Sequence, residues 1–493
     1  MARIATRYLS SELDAKVTVE RVSIKFFNRA ALRGVYVEDT KGDTLFWFDE
    51  LVVDVSDIST AERRLEVSKL TLHDSYFNLM HRKGEEHDNL YFLLDYFSSG
   101  DTTRTDTSAW KITADELELD GFRFRYDDWN EAADSGQVDF SHLYVDDVHG
   151  DFHEFHIIND SVFAKVDRLS FREKSGFHVK EFTADAKISG TQIRAQDLRI
   201  ITDNTDLTGD LTFDYADWED FDDFIDKVDW RGRLSKSVVS FRDIAYFTSE
   251  LSGLDKKISI AGRFHGNVGK FKVNELDLGW GQESYLKGAV FFSGLPELDE
   301  TSMDLKISDA STNVRDIEWL PSFPFDSGQH LKLPDNIRMM KEFQFKGRFT
   351  GLLSNFNAYG DFKTGLGYVS ANLNVTYDVS IKNYVYDGKL TAKDFEIGSF
   401  TYTPRLGKTT FSLTVDGRGV KLNDVRAGMT GDIERISFNG YDYSGFKVNG
   451  SIAKKQFEGK LETHGEDVDL VFEGGVDLSG QIPRFDFNAQ INR

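Results

Sequence analysis

The sequence predicts an all-β protein with a few short helices, and three observations carry that expectation. Apolar and polar residues alternate with a period of two along many short runs, the mark of a strand with one apolar and one wet face. Turn residues punctuate those runs at intervals of about 8 to 12 residues, as in antiparallel meanders. The composition agrees, with 41 Phe and 40 Gly but only 6 Pro. Many short aromatic strands joined by glycine turns account for such numbers, whereas disorder does not. A sandwich, a closed barrel and an elongated open sheet all satisfy this pattern.

The alternation is clearest over residues 454–491. Val468, Leu470 and Phe472 fall on one side of an extended chain and Asp467, Asp469 and Glu473 on the other, before Gly474-Gly475 breaks the run. Beyond Ser479-Gly480 and Pro483, Phe485, Phe487, Ala489 and Ile491 alternate with Asp486, Asn488, Gln490 and Asn492.

Charge and composition exclude several function classes. The 493 residues carry 59 Lys+Arg against 83 Asp+Glu, a net charge of -24. Such an excess of acid argues against nucleic acid or an anionic membrane surface as partner of the main body. There is no Cys, so neither a disulfide framework nor a thiolate zinc site is available. No window approaches the roughly 18 uninterrupted apolar residues of a membrane span, and Met1-Ala2-Arg3-Ile4 does not lead into a signal-peptide core.

Taken in order, residues 2–14 read as a short amphipathic helix carrying Ile4 and Tyr8, with no capping residue before it, as in a helix cut from a longer parent. Strands follow over 17–24, 32–39, 45–55 and 65–80. The period breaks over 89–97, where Leu90, Phe92, Leu93, Leu94 and Phe97 suit a helical face. These residues make up a first region, 1–98. Residues 99–109 form a polar Gly- and Thr-rich linker expected to be mobile, and strands resume over 110–216.

Two helical interruptions are expected within 217–254. Trp218, Phe221, Phe224 and Ile225 recur at helical spacing in the first; Ile244, Phe247 and Leu251 do so in the second, where Ser240 or Asp243 supplies a cap. Helices interrupting a run of strands cover a bare sheet face or end. From 255 to 493 the strands continue, interrupted by an irregular Pro-containing stretch over 317–333. The regular section includes Leu373, Val375 and Tyr377 on one side of a strand and Phe411, Leu413 and Val415 on one side of another. No tight repeat of about 20 to 25 residues appears, which argues against a parallel β-helix or leucine-rich repeat.

Motifs with chemical content weaken on inspection. Gly407-Lys408-Thr409 resembles the end of a phosphate-binding loop, but Tyr402 stands where that loop needs its first Gly. His142, His149, His153 and His156 are close in sequence, yet the spacing of the last three aligns ligands only on a helix, and the surrounding residues alternate as a strand. Asp127-Asp128, Asp146-Asp147 and Asp222-Asp223 are adjacent pairs. Neighbouring residues on a strand point to opposite faces, so they do not converge as a glycosidase pair would. The expectation is a chain that is not an enzyme, with no catalytic residue, metal site or cofactor.

Several stretches resemble a known family. Tyr8-Leu9-Ser10-Ser11-Glu12-Leu13-Asp14-Ala15-Lys16-Val17-Thr18-Val19-Glu20-Arg21-Val22 is similar to the segment following the N-terminal membrane helix in the AsmA-like family that includes TamB, the translocation and assembly module subunit. Leu32-Arg33-Gly34-Val35-Tyr36-Val37-Glu38-Asp39 with Gly42-Asp43-Thr44-Leu45 resembles its next strand pair. Gly388-Lys389-Leu390-Thr391-Ala392-Lys393-Asp394-Phe395-Glu396-Ile397-Gly398 and residues 454–491 resemble its repetitive strands.

The resemblance implies an elongated, open, twisted antiparallel β-groove, taco-like in section, with an apolar concave face. It implies a periplasmic protein held to the inner membrane by an anchor. That protein conducts phospholipids toward the outer membrane and partners an outer-membrane barrel of the TamA or BamA type. Anchor and C-terminal domain are absent from this sequence, so the resemblance reads it as an N-terminal portion. About 25 to 30 strands at roughly 4.8 Å would make a continuous sheet about 120 to 145 Å long. The expected lining is Leu373, Val375, Tyr377, Phe411, Leu413, Val415, Val468, Leu470, Phe472, Phe485, Phe487 and Ile491. The helices at 217–254 are expected to cover or flank it. The alternative reading is a scaffold that guides outer-membrane protein strands along an exposed sheet edge.

Overall fold

A computed structural model describes residues 10–491 apart from 12, 26–28, 60–61, 63, 94–110, 134–135, 159–160, 323–327, 420–423, 465–468, 478, 481 and 483. The helix expected over 2–14 lies mostly outside the described residues, with helical backbone at Ser10, Ser11 and Leu13. The linker 99–109 also lies outside them. Of the helix expected over 89–97, Tyr91, Phe92 and Leu93 are helical and the residues from 94 onward are not described.

The chain is all-β with a few short helices, and its strands form open, twisted sheet. It divides into two compact units, one mainly residues 1–260 and the other mainly 261–493. The first contains β1 (Val17–Lys25), β2 (Arg29–Glu38), β3 (Thr44–Ser59), β4 (Arg64–His81), β5 (Lys111–Asp128), β6 (His142–Ile158), β7 (Ser161–Glu173), β8 (His178–Ser189), β9 (Gln192–Thr202), β10 (Asp206–Asp214) and β11 (Asp229–Ser240). The division falls within β12 (Lys257–Gly266).

Within the first unit each strand pairs with the next, antiparallel in all but one pair. The exception corrects the expected meander: β4 and β5 run parallel. A parallel pair needs a connection of about a dozen residues or more to return the chain to its starting end, and residues 82–110 supply it.

Four residues with positive φ, Gly34, Asp74, Gly121 and Asp147, stand at one level across β2, β4, β5 and β6. Gly and Asp tolerate the left-handed conformation, and at Gly121 and Asp147 it coincides with breaks in the β5–β6 register, bulges that bend a strand and increase its twist. Strands β5 and β6 therefore bend along this line. Beside it, Phe46, Phe77 and Phe124 occupy one cross-strand row, with ring centroids 4.7 and 5.6 Å apart.

Carboxylates lock the strand ends. Asp39 accepts the Lys41 and Asp43 amides at 2.8 and 3.0 Å and the Arg82 guanidinium at 2.5 Å. The two helical interruptions expected within 217–254 are short turns on either side of the 12-residue β11. The helical pieces are a 3-10 turn over Trp218–Asp223, single turns over Phe224–Lys227 and Phe241–Ile244, and a 3-10 turn over Ser249–Leu251. Asp243 accepts from Thr202 Oγ1 at 2.5 Å and Asn204 Nδ2 at 3.0 Å, tying the turn after β11 to the β9–β10 hairpin.

The second unit contains β13 (Lys270–Trp280), β14 (Ser284–Ser293), β15 (Ser302–Asn313), β16 (Glu342–Leu352), β17 (Asn355–Thr364), β18 (Gly367–Asp378), β19 (Asn383–Glu396), β20 (Leu406–Arg418), β21 (Arg426–Phe438), β22 (Tyr441–Ala453), β23 (Gln456–His464), β24 (Asp469–Asp477) and β25 (Arg484–Ile491). Consecutive strands pair antiparallel from β13 to β25. Val314-Arg315-Asp316-Ile317 after β15 repeats the Phe241-Arg242-Asp243-Ile244 pattern after β11. Asp316 accepts from Ser284 Oγ at 2.8 Å and from the Glu283 and Gln282 amides at 3.1 and 3.2 Å, in the β13–β14 turn.

Candidate functional site

In an antiparallel pair, residues directly opposite one another share a face of the sheet. Following the register from β16 to β25 therefore shows which side chains stand in line. One row reads Phe345, Phe362, Val369, Ala392, Phe411, Ile433, Phe446, Thr463, Leu470 and Ile491. The next reads Gly347, Gly360, Ala371, Leu390, Leu413, Gly431, Val448, Leu461, Phe472 and Ala489. A third holds Phe349, Ala358, Leu373, Gly388, Val415, Met429, Gly450, Gly459, Gly474 and Phe487. A fourth holds Gly351, Phe356, Val375, Tyr386, Gly417, Ala427, Ile452, Phe457, Val476 and Phe485. These rows contain no charged side chain. The row alternating with the first two contains Lys346, Asp361, Asp432, Lys447 and Glu462.

Every expected lining residue except Val468, which lies outside the described residues, has a place in this register. Leu373, Val375, Phe411, Leu413, Val415, Leu470, Phe472, Phe485, Phe487 and Ile491 occupy the four rows, and Tyr377 lies beyond them opposite Tyr384, with rings 5.2 Å apart. The depth differs along the rows. Leu413, Val415 and Val448 are buried, packed against Leu373, Leu390, Phe411, Met429 and Phe457. Each such side chain contributes roughly 1.5 to 3 kcal/mol through burial. Phe485, Phe487 and Ile491 are exposed, as is the whole of β25.

Phe345, Phe349, Phe356 and Phe362 are missing from the lining expected from sequence, although their alternation was legible. They face one another across β16 and β17, with centroids 4.5 Å apart for Phe345 and Phe362 and 4.6 Å for Phe349 and Phe356. The glycines in the rows were read as turn residues, but many lie in strand interiors. A Cβ on Gly347 would come within 2.9 Å of Phe345 Cζ, and Gly360 lies beneath the same ring. The missing side chains are what let the phenyl ring lie flat on the sheet.

Titration is quiet within the rows, where burial raises the Tyr386 phenol above its usual range. Outside them, Asp304 takes Arg348 in a two-pronged pair, Nε to Oδ1 at 2.7 Å and Nη2 to Oδ2 at 2.6 Å. The Arg348 hydrogen bonds hold that carboxyl below the ordinary value.

The other sequence candidates are dispersed. Gly407, Lys408 and Thr409 lie in β20, where Thr409 is buried and donates to the Arg435 carbonyl at 3.1 Å. His142 pairs with Asp139, His149 with Asp120 and Asp147, and His153 with Asp167. Asp127 takes Arg125, and Asp128 accepts from Asn130. Among the described residues, no group of three or more acidic or histidine side chains is arranged to hold a metal ion. No described helix is long and apolar enough to cross a membrane. No protein-family model, no curated protein and no solved structure matches this chain.

Proposed function

We propose that this chain is a lipid conduit. The observation that carries the reading is the run of four adjacent uncharged rows across β16–β25. An apolar surface of that extent calls for something to cover it, and acyl chains suit a continuous trough. Each CH₂ gains about 0.8 kcal/mol on leaving water, so a long acyl chain is held firmly. Because neighbouring rows offer similar side chains, a shift along them exchanges like contacts for like and the barrier to sliding is low. No catalytic residue is required. The sequence resemblance supports a setting in the periplasm, an inner-membrane anchor in the full-length protein, and delivery of phospholipid toward an outer-membrane barrel partner.

Native mass spectrometry after mild extraction tests the reading. Bound phospholipid that exchanges with added short-chain phospholipid is expected, and reproducibly lipid-free protein would overturn it.

A further inference from the structure

The first unit carries a second aromatic row on the face opposite its phenylalanines. Tyr36 stands across from Trp47, Trp47 across from Tyr76, and Tyr76 across from Arg123, so four neighbouring strands, β2 to β5, contribute one side chain each. Phe46, Phe77 and Phe124 each follow or precede one of these residues and therefore point the other way. One side of these strands thus carries phenyl groups and the other carries phenols, an indole and guanidinium groups.

The row borders a shallow concavity of about 660 Å³, also lined by Arg125 and Tyr144. Tyr36, Trp47 and Tyr76 are half-buried, while Arg123 and Arg125 are exposed. The Tyr36 hydroxyl donates to Glu38 Oε1 at 3.1 Å, which holds its ring, and Lys16 Nζ lies 5.1 Å from the ring centroid.

Two of the three cations near the row are held in ion pairs. Lys16 pairs with Glu38 at 2.9 Å and Arg125 with Asp127 at 2.5 Å. Arg123 lies 5.7 Å from the Tyr76 ring centroid and, among the described residues, makes no ion pair with a carboxylate. Lys16 and Arg125 are therefore paired, and the Arg123 guanidinium lies at the end of the aromatic row.

We propose that this surface binds a short glycan bearing an anionic group. Sugar rings offer flat patches of C–H to Trp47 and Tyr76, their hydroxyls match the tyrosine hydroxyls, and Arg123 receives one carboxylate or phosphate. An acyl chain does not suit a row with phenol, indole N–H and guanidinium groups. A cationic headgroup meets two arginines. A nucleic acid strand also stacks on aromatics, but a net charge of -24 with one open cation opposes a polyanion. The proposal is independent of the lipid reading, which concerns the other unit.

Isothermal titration calorimetry of the full chain with sialyllactose, cellotriose and oligothymidylate tests it. Sialyllactose is expected to bind more tightly than the neutral trisaccharide, and oligothymidylate more weakly than either. Trp47→Leu should weaken both sugars about tenfold or more, the scale of losing a stacking ring, whereas Trp47→Phe retains binding. Arg123→Gln should remove the preference for sialyllactose and leave cellotriose unchanged. Because Arg123 is exposed, that variant decides the matter even if Trp47→Leu fails to fold. No sugar binding at millimolar concentration, tighter binding of oligothymidylate, or an unchanged preference in Arg123→Gln would each overturn the proposal.

Discussion

Asp316 and Ser284 join the helical turn after β15 to the hairpin between β13 and β14, with the hydroxyl donating to Oδ2 at 2.8 Å. The carboxylate is 2% exposed, and it also takes the Glu283 and Gln282 amides and the Asn313 side chain. Removing it takes an acceptor from four donors, of which Ser284 is buried and the other bonds are part-buried, at about 1 to 3 kcal/mol for each group left unsatisfied. Asp316→Ala is expected to destabilise the second unit by about 3 kcal/mol or more, measured by urea denaturation.

The same carboxylate sets an acid limit. Burial acts to raise its pKa, but the hydrogen bonds from Ser284, Glu283, Gln282 and Asn313 outweigh burial and hold it below the ordinary value. A carboxyl depressed in the folded state stabilises fully above its unfolded pKa of about 3.9. That contribution disappears as pH falls through the lower folded value. Denaturation midpoints of the native chain should therefore fall below about pH 4, with a shallower fall in Asp316→Asn.

Arg82 and Asp39 are both buried, and the pair closes the β2–β3 turn onto the end of β4. Replacing Arg82 with Met strands the Asp39 carboxylate away from water, which costs roughly 3 to 5 kcal/mol when a buried pair loses one member. Thermal denaturation should show the loss in Arg82→Met, and the double variant Asp39→Asn/Arg82→Met should recover part of it.

Gly388 and Gly428 make a matched comparison. Gly388 has φ +144°, and a Cβ there would collide with the Asn372 carbonyl and lie 3.0 Å from Leu373 Cα. Gly388→Ala should cost about 2 kcal/mol or more through strain. The nearest atom to a Cβ on Gly428 is 3.8 Å away, so Gly428→Ala should stay within about 0.5 kcal/mol. Urea midpoints of the two variants check the contrast.

Leu373 and Asn372 are neighbours on opposite faces of β18. If acyl chains lie on the rows, Leu373→Glu should remove most co-purifying phospholipid and Asn372→Glu should leave it in place. Lipid extraction and mass spectrometry of both variants, with circular dichroism as the folding control, measure the difference. Equal retention would count against the conduit.

Strand-forming segments and which side chains share a face were legible because a period of two survives in β16–β25 with little interruption. Phe411, Leu413 and Val415, read from alternation alone, occupy three adjacent rows. The direction of one pairing was not legible, since alternation says nothing about it; the parallel β4–β5 pair is the result. The two expected helical interruptions are present only as short turns, for another reason. Trp218, Phe221 and Phe224 follow helical spacing, yet they form an aromatic cluster with Tyr215 and Trp230 around single turns. Strand β11, with Gly232 among charged residues, gives only a weak apolar signal. The recurring Arg-Asp-Ile after β11 and β15 was present in the sequence, but its meaning depends on the hairpin that each Asp reaches.

The parallel β4–β5 pair has a consequence for the order in which the first unit can assemble. Elsewhere in that unit a strand docks antiparallel on the one made just before it, and most connections are short turns that close at small entropic cost. At β4–β5 the chain must travel back along an 18-residue strand, about 60 Å, before the first interstrand bond forms. The unit therefore grows as two zippers, β1 to β4 and β5 onward, each able to form while the other is still unmade. The seam between them is the slow, non-local contact, and the moment it closes is when the strands on either side first share one sheet.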